Sequence, residues 1–274
     1  MTRDHDTDLS WQQWGERDPY FSVLTVSKYR RERLDAGALR EFFESGRVHV
    51  QYVLDVVRLR LVPGFAATRA LDFGCGVGRT LIPLASAARE VVGVDVSPAM
   101  LGEARANCEA HAVGNVQLLA SDDALSPLQG DFDLIHSSLV FQHIPVERGR
   151  AIFARLLSLL RPGGIGAFHF AYAKSRFADN WGAQPALASA GPRAGSGLLR
   201  RKRPAKPTAA WPETEAASAD PEMQMNSYPL NEVFFCLQRA GIASLLVDFT
   251  DHGGELGVFL FFLKPAVAPP GPPV

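Results

Sequence analysis

Cysteine is scarce, long apolar runs are missing and neither sign of charge predominates. The 274 residues include three cysteines, Cys75, Cys108 and Cys236, with no paired spacing. That argues against a disulfide framework or a metal site and suits reduced thiols in a cytoplasmic protein. No apolar run is long enough to span a bilayer, so no membrane association is expected. The polar, acidic stretch Met1–Gly15 has no signal-peptide pattern. Lys and Arg total 28 against 29 Asp and Glu, a formal net charge of −1, so no overall basic field points to nucleic acid. One basic cluster, Arg200-Arg201-Lys202-Arg203 with Lys206, lacks interleaved aromatics and suits a solvated loop. Composition leaves the oligomeric state open.

What is present is a 47% hydrophobic chain sized for one α/β domain with extra segments. Residues 1–18 are polar, and a loosely ordered tail is expected there. From Val26 to Leu61 the pattern is helical, with one stripe through Leu34, Leu39, Phe42 and Phe43 and another through Val50, Val53, Leu54 and Val57. Ser45-Gly46 is expected to end the first helix and Pro63-Gly64 the second. Strands are then expected at Arg69–Phe73, Glu90–Asp95, Val116–Ala120, Phe132–His136 and Gly163–Phe170. Helices Arg79–Ala88, Pro98–Ala112 and Val146–Leu160 lie between them, and Asp122–Leu128 holds a short one. Ser97 is a good N-cap before Pro98. Such alternation predicts a parallel sheet with helices on both faces. Periodicity disappears from Ala171 to Asn226, a length expected of a lid or an unstructured segment. Helix Leu230–Ala240 follows. Strands Ile242–Thr250 and Gly257–Leu263 then pair antiparallel, because the Asp251–Gly254 link is too short for a crossover.

The most informative stretch is Ala70-Leu71-Asp72-Phe73-Gly74-Cys75-Gly76-Val77-Gly78-Arg79. Three glycines at alternate positions join a strand to a helix, so a ligand can lie against backbone amides. A dinucleotide fingerprint, G-x-G-x-x-G, would need glycine where Arg79 stands. A second motif, Val91-Val92-Gly93-Val94-Asp95-Val96-Ser97, ends the next strand on a carboxylate able to accept two ribose hydroxyls. Ser121-Asp122-Asp123, Ser138-Leu139-Val140-Phe141-Gln142-His143-Ile144 and Arg161-Pro162-Gly163-Gly164 follow in order. Together these segments, from Arg69 to Phe170, resemble the class I S-adenosylmethionine-dependent methyltransferases, and in particular bacterial small-molecule and natural-product enzymes.

The resemblance implies a Rossmann-like, seven-stranded, mostly parallel sheet with an antiparallel last strand and a helical N-terminal cap. Residues 1–62 would be tail and cap, and 63–264 the methyltransferase domain with an insertion at 172–228. Residues 265–274 would be a flexible tail. The implied cofactor is S-adenosyl-L-methionine, with no metal. Gly74, Cys75, Gly76 and Gly78 would admit its carboxypropyl end and Asp72 would order that loop. Asp95, with Val96, would hold the ribose. Met100 would wall the adenine, and Asp122 or Asp123 would bind its amino group. Ser138 and Phe141 would lie near the methionine part.

His143 is the first candidate for a general base, because an imidazole titrates near neutral pH. His169 and Tyr172, which end the fifth strand, and His252, in the last turn, are further candidates, since ligands bind at the carboxyl ends of strands in open α/β sheets. The implied reaction is methyl transfer to an O or N nucleophile of a small-molecule acceptor. A nicotinamide-dependent oxidoreductase and a non-catalytic S-adenosylmethionine-binding protein are the alternatives.

Overall fold

Short β-branched and aromatic runs, each closed by a polar or glycine turn, form the strands of one sheet. The computed structural model describes residues 7–175 and 220–266. Its strands are β1 (Ala67–Phe73), β2 (Ala88–Asp95), β3 (Val116–Ala120), β4 (Phe132–Ser137), β5 (Leu160–Lys174), β6 (Leu246–His252) and β7 (Glu255–Leu263). The order is β3-β2-β1-β4-β5-β7-β6. β1 to β5 pair in parallel, and β7 runs antiparallel to both β5 and β6. This is the expected seven-stranded sheet. The helices are α1 (Thr7–Arg17), α2 (Pro19–Val23), α3 (Ala36–Val56), α4 (Leu81–Ala85), α5 (Pro98–Ala110), α6 (Val146–Leu159) and α7 (Leu230–Arg239).

Alternation along each strand sorts the core into two layers. On one face α3, α4 and α5 bring Val50, Val53, Leu81 and Leu101 onto Ala70, Leu134, Ala167 and Phe261. On the other, α6 and α7 bring Phe153, Leu156, Val233 and Leu237 onto Leu71, Ile135, Phe168 and Phe262. Period two then places Asp72, two residues after Ala70, on the α3 face. His136 and His169, two residues after Leu134 and Ala167, share it. Three polar side chains thus stand at the carboxyl ends of β1, β4 and β5, under one helix.

Several local expectations change. The tail expected at 1–18 is helical from Thr7, and Trp14 and Gly15 of α1 are buried. Trp14 joins Tyr20, Phe21, Tyr29, Phe42 and Met100 in a third apolar cluster, which forms the cap. Burying each of the two Phe rings stabilises it by about 1.5–3 kcal/mol. Gly46 does not end a helix: α3 runs through it because a bare Cα is needed where the helix meets the glycine loop. A Cβ there would stand 2.0 Å from the Arg79 carbonyl oxygen. Residues 122–128 form turns rather than a short helix, and Asp122 and Leu125 close the first of them.

The expected insertion begins later than position 172, since β5 continues to Lys174. Residues 176–219, with the basic cluster at 200–206, lie outside the described residues, as do 267–274 of the expected tail. The chain returns at Asp220, which accepts from Arg30 Nη2 at 2.6 Å. Tyr228 then donates its N–H to the Ala171 carbonyl at 2.8 Å and its hydroxyl to the Ile144 carbonyl at 3.0 Å. Among the described residues no helix is long and apolar enough to cross a membrane.

Candidate functional site

The glycine loop turns where side chains cannot follow. Gly74, Gly76 and Gly78 have φ of 72°, 51° and 89°, the left-handed region that favours glycine. At Gly74 a Cβ would also strike the Val140 side chain at 2.4 Å. Gly74 and Cys75 donate their N–H groups to the Val94 carbonyl at 2.9 and 3.0 Å, which fastens the loop to the end of β2. Asp95 completes the fastening. Its Oδ2 accepts from Gly76 N and its Oδ1 from Ser97 N, both at 2.9 Å. Burial pushes this carboxyl up to about 6, against the two amide donors that favour its charge. Ser97 in turn caps α5, accepting from Met100 N at 3.2 Å.

These residues floor the first cavity. Gly74, Gly76, Asp95, Val96 and Met100 form one side of it, and Ser121, Asp122, Asp123, Ser138 and His143 another. Thr7, Asp8 and Trp11 of α1 and Ser22 and Val23 of α2 roof it. α1 is held over the cavity by polar contacts. Gln12 Oε1 accepts from Ser97 Oγ at 2.9 Å and from Ala99 N at 3.1 Å. Thr7 donates to the His143 carbonyl at 2.9 Å. Arg148 bridges Asp8, at 2.7 Å to each oxygen, and Asp123, at 2.7 and 2.9 Å.

Both acidic candidates after β3 therefore have partners: Asp123 the guanidinium, and Asp122 the Ser126 N–H at 2.8 Å, which lowers its pKa. His143 donates from Nδ1 to the Gln224 carbonyl at 2.8 Å and meets Trp11 edge-on at 4.8 Å. Burial lowers its pKa to about 4.

Six of the expected residues do not line either cavity, and His169, behind the second, is one of them. Asp72 lies behind the loop, accepting from Thr80 Oγ1 at 2.8 Å. Cys75 is buried, with its thiol 3.9 Å from the Gly76 carbonyl. Gly78 packs near Ile82 and Ala104. Phe141 belongs to the core, its ring 4.6 Å from Phe170 and 5.6 Å from Phe73. Tyr172 packs on the α6 and α7 side, opposite the face where the other polar strand-end residues gather.

A second cavity, of about 710 Å³, meets the first at Arg79, Ser138 and Leu139. Ser45, His49 and Tyr52 of α3 form one wall, and Asp248, Thr250 and His252 of β6 another. Leu139, at the junction, holds a φ of 61°, a strained value for a branched side chain. His252 faces this cavity as a strand-end residue should. His169 stands behind it, its Nε2 2.9 Å from Thr250 Oγ1 and its ring 5.1 Å from His252. His169 Nδ1 is buried without a partner among the described residues, and burial lowers the ring's pKa to about 3. Arg79 is 7% exposed. Its Nη1 lies 3.4 Å from Ser45 Oγ, and its Nε is buried without a partner among the described residues.

Sequence reasoning missed His49, Tyr52, Arg79 and His136 as members of a site. The available signal was a polar residue at an inward position of a buried strand, His136 two residues after Leu134. Nothing local shows that α3 brings His49 to 2.9 Å from it.

Residues 70–164 match a family model described as a methyltransferase domain. The chain is 33% identical over 178 residues to an uncharacterized methyltransferase of Synechocystis sp., covering 65% of this chain and 73% of that protein. It is 35% identical over 146 residues to the magnesium-protoporphyrin O-methyltransferase of the same organism, covering 51% of this chain and 61% of that one, less than two thirds of its length. The crystal structure of magnesium protoporphyrin IX methyltransferase from Synechocystis with S-adenosylmethionine bound has the same fold. The TM-score is 0.56 at 20% identity, covering 96% of this chain and 100% of that one.

Proposed function

The chain belongs to the class I S-adenosylmethionine-dependent methyltransferases, and from that premise we propose that it methylates an O or N nucleophile of a small-molecule acceptor. On this reading 63–264 is the catalytic domain, with an insertion between β5 and α7, and 1–62 is its cap. The chain works in the cytoplasm with its cysteines reduced, and bacterial natural-product biosynthesis is the setting the sequence resemblance suggests. The observation that carries the reading is Asp95: one carboxylate ties the Gly76 and Ser97 amides together and faces the first cavity.

The residues of that cavity fit the cofactor. Gly74 and Gly76 leave backbone exposed where a Cβ would crowd an extended chain. Asp95 has lone pairs to spare for two ribose hydroxyls, and Met100 gives an apolar wall. Asp122 or Asp123 would hold the adenine amino group, and Ser138 stands where the two cavities meet. His143 closes the wall beneath Trp11. When bound, S-adenosylmethionine supplies a sulfonium methyl already reactive toward nucleophiles.

What remains for the chain is to align an acceptor with that methyl and to keep water away. α1 and α2 cover the first cavity, and the second offers the acceptor an approach past Ser138 and Leu139. Its size suits a small molecule, and its imidazoles and Arg79 suit a polar one.

Calorimetry tests the reading. Wild type should bind S-adenosylmethionine and S-adenosylhomocysteine, and Asp95→Ala should weaken both by about 100-fold, the loss of two charge-assisted hydrogen bonds. Unchanged affinity in the variant sinks the ribose assignment. A preference for NAD(P) in the wild type overturns the cofactor.

A further inference from the structure

Asp72, His136 and His49 form a line from the first strand to the wall of the second cavity. Asp72 on β1 and His136 on β4 are register partners in the sheet, and both are buried beneath α3. His136 Nδ1 lies 2.7 Å from Asp72 Oδ1. His136 Nε2 lies 2.9 Å from His49 Nε2.

The proton positions follow from what each atom can do. A carboxylate only accepts, so His136 Nδ1 carries the hydrogen. In the neutral ring the other nitrogen is then bare, so His136 Nε2 accepts and His49 Nε2 donates. His49 Nδ1 is left with its lone pair. It has no hydrogen-bond partner among the described residues, and its ring lines the second cavity.

We propose that His49 is the base that takes the acceptor's proton, held in this tautomer by His136 and Asp72. The acceptor is then a neutral hydroxyl or amine, since an anion would need no base. This rests on the second cavity being the acceptor's, as read above.

The surroundings explain why a line of three is needed. Burial opposes a cation at His49, as do His136 from β4, Arg79 from the glycine loop, His169 from β5 and His252 from β6. On α3 itself the nearest titratable group is Tyr52, which donates to Asp248. The ring therefore stays neutral, and it serves as a base only if no imidazolium accumulates. The line meets that condition. The acceptor's lone pair forms its bond to the donor methyl carbon as the C–S bond breaks, and the electron pair of that bond stays on sulfur. The acceptor's proton passes to His49 Nδ1, the Nε2 proton of His49 to His136 Nε2, and the Nδ1 proton of His136 to Asp72 Oδ1. The sulfonium and the carboxylate lose their charges together, and neither ring is left cationic. His49 touches the acceptor, whereas His136 and Asp72 act through it as positioning residues.

Nitrogen-15 NMR of the histidine rings, on the full chain with S-adenosylhomocysteine, tests the line without any acceptor. His49 should show a protonated Nε2 and a bare Nδ1, and His136 the reverse, and His49, its pKa lowered by burial, should not titrate between about pH 6 and 8. A protonated Nδ1 at His49 overturns the proposal even if methyl transfer is intact. The kinetic arm offers a panel of phenols and primary amines and reads S-adenosylhomocysteine release. His49→Ala should lower kcat about 100-fold or more, leave cofactor affinity within about threefold, and be partly rescued by added imidazole. His49→Gln, which keeps most of the bulk, should be as slow without rescue. Asp72→Asn should lose the ordered tautomers and lower kcat about 100-fold. Wild-type turnover in His49→Ala or His49→Gln overturns the assignment. Failure of the wild type to bind cofactor overturns the functional reading instead, and the ring tautomers are still decided by NMR.

Discussion

The two cavities share a boundary at Arg79, Ser138 and Leu139, yet they are made of different material. The first is framed largely by backbone: two left-handed glycines, Gly74 and Gly76, amides that fasten to Val94 and Asp95, and a cap residue starting α5. The second is framed by side chains from α3, β6 and the loop after β4, which meet only because the sheet and its covering helix bring them together. A turn of this kind forms in any sequence with glycines at these positions, so a cavity of the first kind suits a ligand common to a whole family. Side chains can be exchanged one at a time without disturbing the ladder, so a cavity of the second kind suits the partner that varies. The imidazole of His49 belongs to the second, although its orienting carboxylate, Asp72, lies on the strand that leads into the glycine loop. The two sites are therefore coupled through β1.

The largest effect should come from the place that serves both. α3 crosses the glycine loop at Gly46, where a Cβ would lie 2.0 Å from the Arg79 carbonyl oxygen and 2.9 Å from its Cγ. Backbone cannot yield as a flexible side-chain end can. Gly46→Ala should cost about 1–3 kcal/mol of stability by overpacking, read as a lower denaturation midpoint. It should also displace His49 and Arg79 together, reducing cofactor affinity and turnover at once. If turnover falls while cofactor affinity stays at the wild-type value, the two cavities do not share this wall mechanically.

The sheet and the first cavity were legible because their signals are local. Leu71-Asp72-Phe73 followed by alternate glycines forces one turn. Val94-Asp95 before Ser97-Pro98 forces a strand end and a helix start. The cap was less legible. The polar start of α1 concealed Trp14, whose burial depends on Phe21 and Met100, and Gly46 looked like a helix end because the reason for it, the Arg79 carbonyl, is 33 residues away in sequence. The second cavity was least legible. His136 and Asp72 become partners through strand register, and His49 joins them through the path of α3, and neither is encoded in any short segment. Phe141 and Tyr172 show the converse: position at or after a strand end suggested a pocket, yet the turn after β4 sends Phe141 into the core and alternation along β5 turns Tyr172 to the α6 and α7 side.

A pH titration sharpens the contrast within the first cavity. Asp95 titrates at about 6, above its ordinary 3.8, because burial disfavours its charge. Hydroxyl donors from a bound ribose favour that charge, so binding below pH 6 must expel a proton. Affinity for S-adenosylhomocysteine should be level above about pH 7 and weaken about tenfold between pH 7 and 5. Asp95→Asn should remove the dependence. The same raised value makes the empty protein hold this proton more tightly than the unfolded chain does. Asp95 therefore contributes least to stability above about pH 6, and progressively more as the pH falls through the window toward 4. His49 and His169, held neutral by burial, should add no step between pH 6 and 8.

The smallest effect belongs to the roof. Arg148 joins Asp8 of α1 to Asp123 beside the first cavity, and burial does not isolate the group from water: its side chain is 26% exposed and that of Asp123 56%. Ion pairs so placed contribute little to stability. α1 also keeps its Gln12 bonds to the start of α5, the Thr7 bond to His143 and the burial of Trp14. Arg148→Ala should therefore leave the denaturation midpoint nearly unchanged. What it removes is the ionic tie between α1 and Asp123, and a roof loosened at that edge opens more often. Cofactor release, followed by stopped flow, should become about two- to fivefold faster, with association little altered, because interface losses fall mainly on dissociation. An equal change in both rates would mean that α1 does not gate the cavity. A large loss of stability would mean that Arg148 holds the fold rather than the roof.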